Sequence, residues 1–415
     1  MSLSPSLPQD ETGRTGPIDA LRGNWATRPF VFCLLALCAA AMWAAAGRLL
    51  IGSDGRIDGL GRLLGPDFSA IWGAGQAALG GEFALAYGLD WFSGHLRNLF
   101  GEKAYVLAWS YPPVLYALAM PLAVLPYGSA LGIWLGGSYL ALVALVRHII
   151  GHRLVWIAAL AYPGLYANAV QGQSGFLVAA LLAGGLLALE KRPVLAGVLF
   201  SLLIVKPQFG LLLPIALIAA GQWRAFMAAA VSGCALVAAS AMLFGIESWL
   251  AFLGGLSEAR HNALDRGAMG YYILQSLFGI LRQNGAPLAF AYGAQALLAM
   301  AVAIGIWRLW RSQCDARLKY AALMAGSLLI SPYCMDYDLV LLAPAIAFAL
   351  RHGWENGFAP WEQTAMALAF VCAPLARFST FFLGFPLGFF SAGLLFTILL
   401  RSGLQERGAP SVTGS

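Results

Sequence analysis

Charge is scarce in this sequence. Only 11% of its 415 residues are Asp, Glu, Lys or Arg, against 60% hydrophobic residues, whereas an ordinary soluble domain carries about 25% charged residues. A chain this apolar cannot cover itself with polar surface, which excludes a water-soluble fold. Cysteine is sparse too. The six (Cys33, Cys38, Cys234, Cys314, Cys334, Cys372) form no CxxC and sit mostly inside apolar runs. That excludes a disulfide framework and a zinc site and leaves small buried hydrophobes. No basic patch with interleaved aromatics accompanies the net charge of +6, so nucleic acid is not an expected partner. The apolar runs do not alternate with polar residues, which excludes a membrane barrel. No internal repeat relates the two halves.

What the chain does have is long apolar runs. A membrane-spanning helix needs about 20 such residues, and Phe30–Ile51, Gly128–Val146, Phe226–Phe244 and Pro287–Trp307 meet or approach that length. The full series of apolar segments is 29–51, 112–126, 129–147, 154–170, 174–190, 194–204, 209–220, 225–244, 286–307, 318–332, 338–350, 363–376 and 381–400. The expected fold class is an all-α polytopic membrane protein, a bundle of about 11–13 transmembrane or half-membrane helices. Residues 1–28 are polar and rich in Pro, Gly and Ser. They read as a disordered cytoplasmic tail before an uncleaved anchor, because the apolar segment that follows is too long for an ordinary signal peptide. Residues 401–415 read as a second cytoplasmic tail. Between them, 29–400 form one membrane domain, interrupted by hydrophilic loops at 52–111 and 245–285.

Orientation follows from basic residues in short loops. Arg147/Arg153, Lys191/Arg192, Arg224, Arg308/Arg311/Arg317/Lys319, Arg351 and Arg401/Arg407 join the N-terminal arginines on one face, holding 15 of 25 basic residues but 8 of 19 acids. That face is the cytoplasmic one, and both hydrophilic loops lie outside, in the periplasm if the source is a diderm bacterium. Two consequences follow. Segments 194–204 and 209–220 are too short to cross and read as a hairpin of half-helices whose tip, Lys206-Pro207-Gln208, points outward. Such broken helices survive only where they line a cavity or are buried in protein. Parity also requires one of the segments before Gln171 to be re-entrant, either 112–126 or 154–170.

Polar residues gather at the outer face. Gly65-Pro66-Asp67-Phe68 opens a helix on which Phe68, Ile71, Trp72, Gly75 and Leu79 share a face, as in an amphipathic helix on the membrane. Asp67 suits a helix N-cap or a carboxylate held at the membrane surface. Trp109-Ser110-Tyr111-Pro112-Pro113 suits an interfacial belt or a site mouth, and Gln171-Gly172-Gln173-Ser174 suits a cap or a polar-ligand contact. Lys206 either snorkels to the surface or serves a site, since intramembrane charge is functional by default. Ser331-Pro332-Tyr333-Cys334-Met335-Asp336-Tyr337-Asp338 adds two carboxylates, solvated or functional. Arg260-His261-Asn262 and Asp265-Arg266 are either a solvated loop or a grip on an anion. Sugar transfer from a polyprenyl-phosphate sugar suits such a set. A carboxylate activates the acceptor hydroxyl, and a cation meets charge building on the leaving phosphate.

The chain resembles glycosyltransferase family 87, polyprenol-phosphate-mannose-dependent mannosyltransferases of GT-C architecture. The resemblance rests on an ordered series: Asp67-Phe68 with Trp72 and Ala74, Tyr111-Pro112-Pro113, Gly172-Gln173, Lys206-Pro207, Gly221-Gln222-Trp223-Arg224, Gln275-Ser276-Leu277 and Ser331-Pro332. It implies an inverting hexose transfer at the outer face of the cytoplasmic membrane, from a polyprenyl-phosphate sugar to a lipid or glycan acceptor. Asp67 holds the place of the catalytic base in the first external loop. Lys206 becomes the favoured phosphate contact, with Arg260 and His261 beside it. Tyr111, Gln173, Gln275, Asp336 and Asp338 become substrate contacts, and mannose is the default sugar. Leu274-Gln275-Ser276 replaces the family's Asn-Gln-Ser, and Met335-Asp336-Tyr337-Asp338 lacks its histidine. No obligatory metal or cofactor is expected; a divalent cation between Asp67 and Asp336 or Asp338 is the alternative to Lys206. The rival reading is a transporter of a lipid-linked sugar, because broken helices are also a transporter device.

Overall fold

At membrane depth an apolar run must satisfy its backbone internally, and the helix is the form open to a single segment. The computed structural model describes residues 51–101, 104, 108–151, 162 and 164–406, with scattered positions between 33 and 48. The anchor expected at 29–51, the tail at 1–28, most of the C-terminal tail and most of 154–163 therefore lie outside the described residues. Among the described residues the extended backbone amounts to two isolated bridges, and the rest of the regular structure is helical.

In chain order the α-helices are α1 (Pro66–Leu79), α2 (Leu89–Phe100), α3 (Tyr116–Ala123), α4 (Tyr127–Ile150), α5 (Gly164–Gln171), α6 (Gly175–Ala188), α7 (Pro193–Ser201), α8 (Leu213–Ala219) and α9 (Trp223–Phe244). They continue as α10 (Ile246–Arg260), α11 (Leu277–Gln283), α12 (Leu288–Trp310), α13 (Ala316–Leu329), α14 (Leu342–Asn356), α15 (Glu362–Cys372), α16 (Ala376–Leu383) and α17 (Leu387–Gln405). Among the described residues, four are long and apolar enough to cross a membrane: α4, α9, α12 and α17. Helices α15 and α16 would make a fifth span together but are bent by 79° at their break. The protein is an all-α polytopic membrane protein.

The shorter helices position the site. Helices α6 and α13 have 14 residues each and so rise about 21 Å, against about 30 Å of hydrocarbon. Helix α7, extended by a 3-10 turn to Val205, is similar. Each stops within the bundle and the chain turns back there. The first turn, Gln171–Ser174, joins α5 to α6. The second is Lys206, held at φ −141° and ψ 74° between two 3-10 turns; Pro207 disfavours helix at the residue before it. The third, Ser331–Leu341, joins α13 to α14 through extended backbone and a 3-10 turn. All three apices are buried in protein, and the 3-10 turn at Asp336–Leu341 packs on α5 and α6. The opposite ends of α13 and α14 are fastened by ion pairs: Arg317 bridges Asp315 and Glu355, Arg351 also meets Glu355, and His352 lies between Asp315 and Glu406.

The first loop folds down onto this bundle. Of the predicted face of α1, Phe68, Ile71, Trp72 and Gly75 are buried and Leu79 is exposed, while Ser69, Ala70, Gly73, Ala74, Ala77 and Ala78 are buried as well. The helix is enclosed on nearly all sides instead of lying on a membrane surface, because its other faces carry mostly small residues and Gln76 donates to the Ala123 carbonyl. The amphipathic member of the loop is α2, which buries Phe92, Ser93 and Leu96. The apolar stretch Pro113–Ala123 spans 11 residues, about 16 Å, and packs along α1. Gly75 is what lets them meet: a Cβ there would stand 2.3 Å from the Ala119 carbonyl oxygen and 2.7 Å from Ala123 Cβ. Gly75→Ala is expected to lower thermal stability by about 1–3 kcal/mol through overpacking. Gly94→Ala in α2 meets nothing within 4 Å and is expected to raise it by about 0.4–1 kcal/mol. Thermal unfolding of the two variants in one detergent checks the contrast.

Candidate active site

The site begins where α1 meets the turn before α6. Gly65 (φ 56°) and Gly172 (φ 71°) bring two backbones together, and a Cβ on Gly172 would lie 2.6 Å from Phe68 Cβ and 3.0 Å from Gly65 Cα. The Tyr127 hydroxyl donates to the Leu64 and Gly65 carbonyls at 2.6 and 3.0 Å, and Trp134 Nε1 donates to the Gly172 carbonyl at 3.1 Å. The start of α1 is thus fixed on both sides. Gly65 is the N-cap of α1 and no side chain caps it, so the N-cap reading of Asp67 does not hold.

Asp67 instead faces Gln173. Gln173 Nε2 donates to Asp67 Oδ2 at 2.7 Å, while Gln173 Oε1 accepts from the Tyr111 hydroxyl at 3.1 Å and from the Ser174 amide at 3.2 Å. Asn168, fully buried, holds the turn: its Nδ2 donates to the Gln173 carbonyl at 3.1 Å and its Oδ1 accepts from Gly175 N at 2.8 Å. Tyr111, Gln173 and Asp67 therefore form one chain of hydrogen bonds that fixes the Asp67 rotamer. Burial pushes the Asp67 carboxyl above the usual carboxylate range, only partly offset by Gln173 and by the positive charges of Lys206 and Arg377.

Those charges come from the second apex and from α16. Lys206 Nζ donates to Asp338 Oδ1 at 2.8 Å, with side chains 8% and 2% exposed, and lies 4.8 Å from the centre of the Tyr337 ring. Asp338 Oδ2 accepts from Met335 N at 3.0 Å. Lys206 does not snorkel; it is a buried, paired cation. Asp336 is taken by Arg377 of α16, with Nε to Oδ2 at 2.7 Å and Nη2 to Oδ1 at 3.0 Å, a bidentate fork. Five of the nine sequence candidates form two groups within electrostatic reach of each other: Asp67, Gln173 and Tyr111 in one, Lys206 and Asp338 in the other. Asp336 joins them through Arg377, a residue that the sequence reading missed. Among the described residues no group of three or more His, Cys, Asp and Glu is placed to hold a metal ion.

Two expectations differ from what is found. Arg260 and His261 end α10 and enter a single π-helical turn; His261 Nδ1 pairs with Asp265 Oδ2 at 3.2 Å, one turn away and half exposed. Among the described residues neither is hydrogen-bonded to the Asp67 group. Gln275 is 1% exposed and its amide is used by protein, donating to Ala376 O and Thr380 Oγ1 and accepting from Gly388 N. It braces the second loop against α16 and α17, while Ser276 Oγ accepts from Gly279 N to cap α11 and donates to Pro332 O, tying the loop to the turn between α13 and α14.

A tyrosine-lined site of paired carboxylates and cations, sunk among broken membrane helices, is a setting for group transfer. The model of glycosyltransferase family 87 matches residues 109–332, just over half of the chain. The chain belongs to glycosyltransferase family 87. It is a membrane glycosyltransferase, and its substrates are a sugar donor and an acceptor. Searches of curated proteins and of solved structures return no match. The matched family segment contains Tyr111, Gln173 and Lys206; Asp67, Asp336, Asp338 and Arg377 lie outside it and join the site through the contacts above.

Proposed function

We propose that this glycosyltransferase moves a hexose, mannose by family default, from a polyprenyl-phosphate sugar to a lipid or glycan acceptor, with inversion at the anomeric carbon. Asp67 is the general base. The acceptor oxygen attacks the anomeric carbon, its proton passes to Asp67, and the bond from that carbon to the phosphate oxygen breaks with its electron pair leaving on the phosphate. The phosphate thereby gains negative charge, and the positive field of Lys206 favours the products' side of that change. Tyr111 and Gln173 orient Asp67, and Asp338 holds Lys206. The site faces the outer side of the cytoplasmic membrane, with the N-terminus in the cytoplasm, as the distribution of basic loops supports.

The observation that carries this reading is a carboxylate fixed by Gln173 and raised by burial, in the electrostatic neighbourhood of two cations. A base works best with a pKa near the working pH. Purified protein in nanodiscs, given radiolabelled polyprenyl-phosphate hexoses and a crude lipid acceptor, is expected to release polyprenyl phosphate and label the acceptor. Only the deprotonated carboxylate takes a proton, so the rate falls as pH drops through the raised Asp67 value, and this acid limb lies above the ordinary Asp value near 3.8. A rate unchanged well below that pH would remove Asp67 as base. If intact lipid-linked sugar crosses the bilayer with no donor consumed, the protein is a transporter instead.

A further inference from the structure

Helix α16 carries two features that the reaction above leaves unused. Its Arg377 side chain is 36% exposed while its partner Asp336 is 7% exposed, so the cation stands at the mouth of the pair and the carboxylate behind it. The fork spends Nε and Nη2 on Asp336, and among the described residues no protein group takes the Nη1 side. Guanidinium offers five N–H donors, so donors remain for an oxyanion. Lys206, by contrast, is closed between Asp338 and Tyr337.

The second feature is the outer side of the same helix. Phe378, Phe381 and Phe382 fall at i, i+3 and i+4 and are each more than half exposed, as is Leu383. Ala376, Ser379 and Thr380 form its buried side. Arg377 lies at the border between the two faces, one turn before Phe381. The 79° bend between α15 and α16 sets this short helix across the direction of the span before it. One eight-residue helix therefore presents a guanidinium edge that no described residue takes beside an exposed aromatic face, with Phe381 edge-on to Tyr272 at 5.1 Å between ring centroids.

We propose that α16 docks the donor lipid: Arg377 binds its phosphate, and Phe378, Phe381 and Phe382 receive its polyprenyl chain. The proposal rests on the donor class given above. A long apolar chain ending in a phosphate matches the helix in charge and in order, since the cation sits where the aromatic face meets the site. Arg377 also contacts the phosphate that gains charge during transfer. Its bond strengthens along the reaction and so lowers the barrier as well as aiding binding.

The test is binding of polyprenyl phosphate and of the corresponding uncharged polyprenol to protein in nanodiscs, in long and short chain lengths. A hydrogen bond to a charged group is worth about 10- to 100-fold in affinity. Arg377→Ala is expected to weaken polyprenyl phosphate binding by about that factor and to leave the alcohol unchanged, with Arg377→Lys in between. Asp336→Asn frees the guanidinium and retains phosphate binding, whereas a mere brace would be damaged equally from either end. Replacing the three phenylalanines by alanine is expected to remove the preference for the long chain. If Arg377→Ala does not fold, Arg377→Lys decides by the same phosphate-to-alcohol ratio. Phosphate binding that the Arg377 variants leave intact overturns the proposal for the headgroup. A chain-length preference that survives the phenylalanine changes shows a face that meets bilayer acyl chains only, and overturns it for the chain. Wild type that binds neither polyprenyl phosphate nor its sugar refutes the donor class itself, a different failure from the other two.

Discussion

Asp67→Asn is expected to fold and melt like the wild type while its transfer rate falls about 10²- to 10⁴-fold, the range that a positioned general base contributes. The substitution keeps shape and volume. The 2.7 Å bond from Gln173 Nε2 survives, because an amide oxygen accepts as a carboxylate oxygen does. No helix cap is lost, since Gly65 and not Asp67 holds that position. What disappears is the ability to take a proton. Donor affinity is expected to hold or rise slightly, because a negative charge beside the phosphate is removed, so the loss should appear in kcat and not in KM. Transfer within threefold of wild type, at unchanged thermal stability, would sink the assignment of the base. Gln173→Leu tests the support for that base. It keeps bulk but leaves the Tyr111 hydroxyl and Asp67 without their shared partner, and is expected to give a smaller loss than Asp67→Asn itself.

Length and proline were enough to read the architecture around the site. Segments 194–204 and 209–220 are too short to cross, and the break at Lys206-Pro207 falls where they meet. Three of the four longest apolar runs recur as spans, at Tyr127–Ile150, Trp223–Phe244 and Leu288–Trp310. Lys206 could be singled out because a charge between two apolar half-helices has no local explanation. Arg377 was missed for the opposite reason. In sequence it reads as a lone basic residue between apolar stretches, and its partner Asp336 lies 41 residues away; only the fold brings α16 back over the acidic turn. Arg260 and His261 could not be placed from sequence, because a His four residues before an Asp reads the same whether it pairs within its own helical turn, as His261 does with Asp265, or grips a ligand. Gln275 shows a further limit. Amides that grip ligands and amides that brace loops have the same local sequence, and three bonds to α16 and α17 separate the two.

The Lys206–Asp338 pair carries the largest stability effect. Both side chains are less than a tenth exposed, and their 2.8 Å bond joins two apices 132 residues apart. Desolvating two charges is expensive, and the pair is tolerated because each ion supplies the other's missing solvation. Lys206→Met removes the cation and strands Asp338, with only the Met335 amide among the described residues left to its carboxylate. Breaking a buried pair from one side costs about 3–5 kcal/mol, so the variant is expected to unfold several degrees below wild type in detergent. The double variant Lys206→Met with Asp338→Leu removes both charges and fills the space with apolar groups. It is expected to recover most of the lost stability, because a well-packed apolar pair is often as stable as the ion pair it replaces. Transfer activity is expected to stay low in both, since neither restores the Lys206 charge near the leaving phosphate. Thermal unfolding and donor turnover, measured on the same preparations, separate the structural role of the pair from its role in transfer. A single variant that melts with wild type would mean that Lys206 reaches water and Asp338 is satisfied without it. A double variant that regains turnover along with stability would mean that the pair only holds the two apices together, leaving Arg377 as the cation that meets the phosphate.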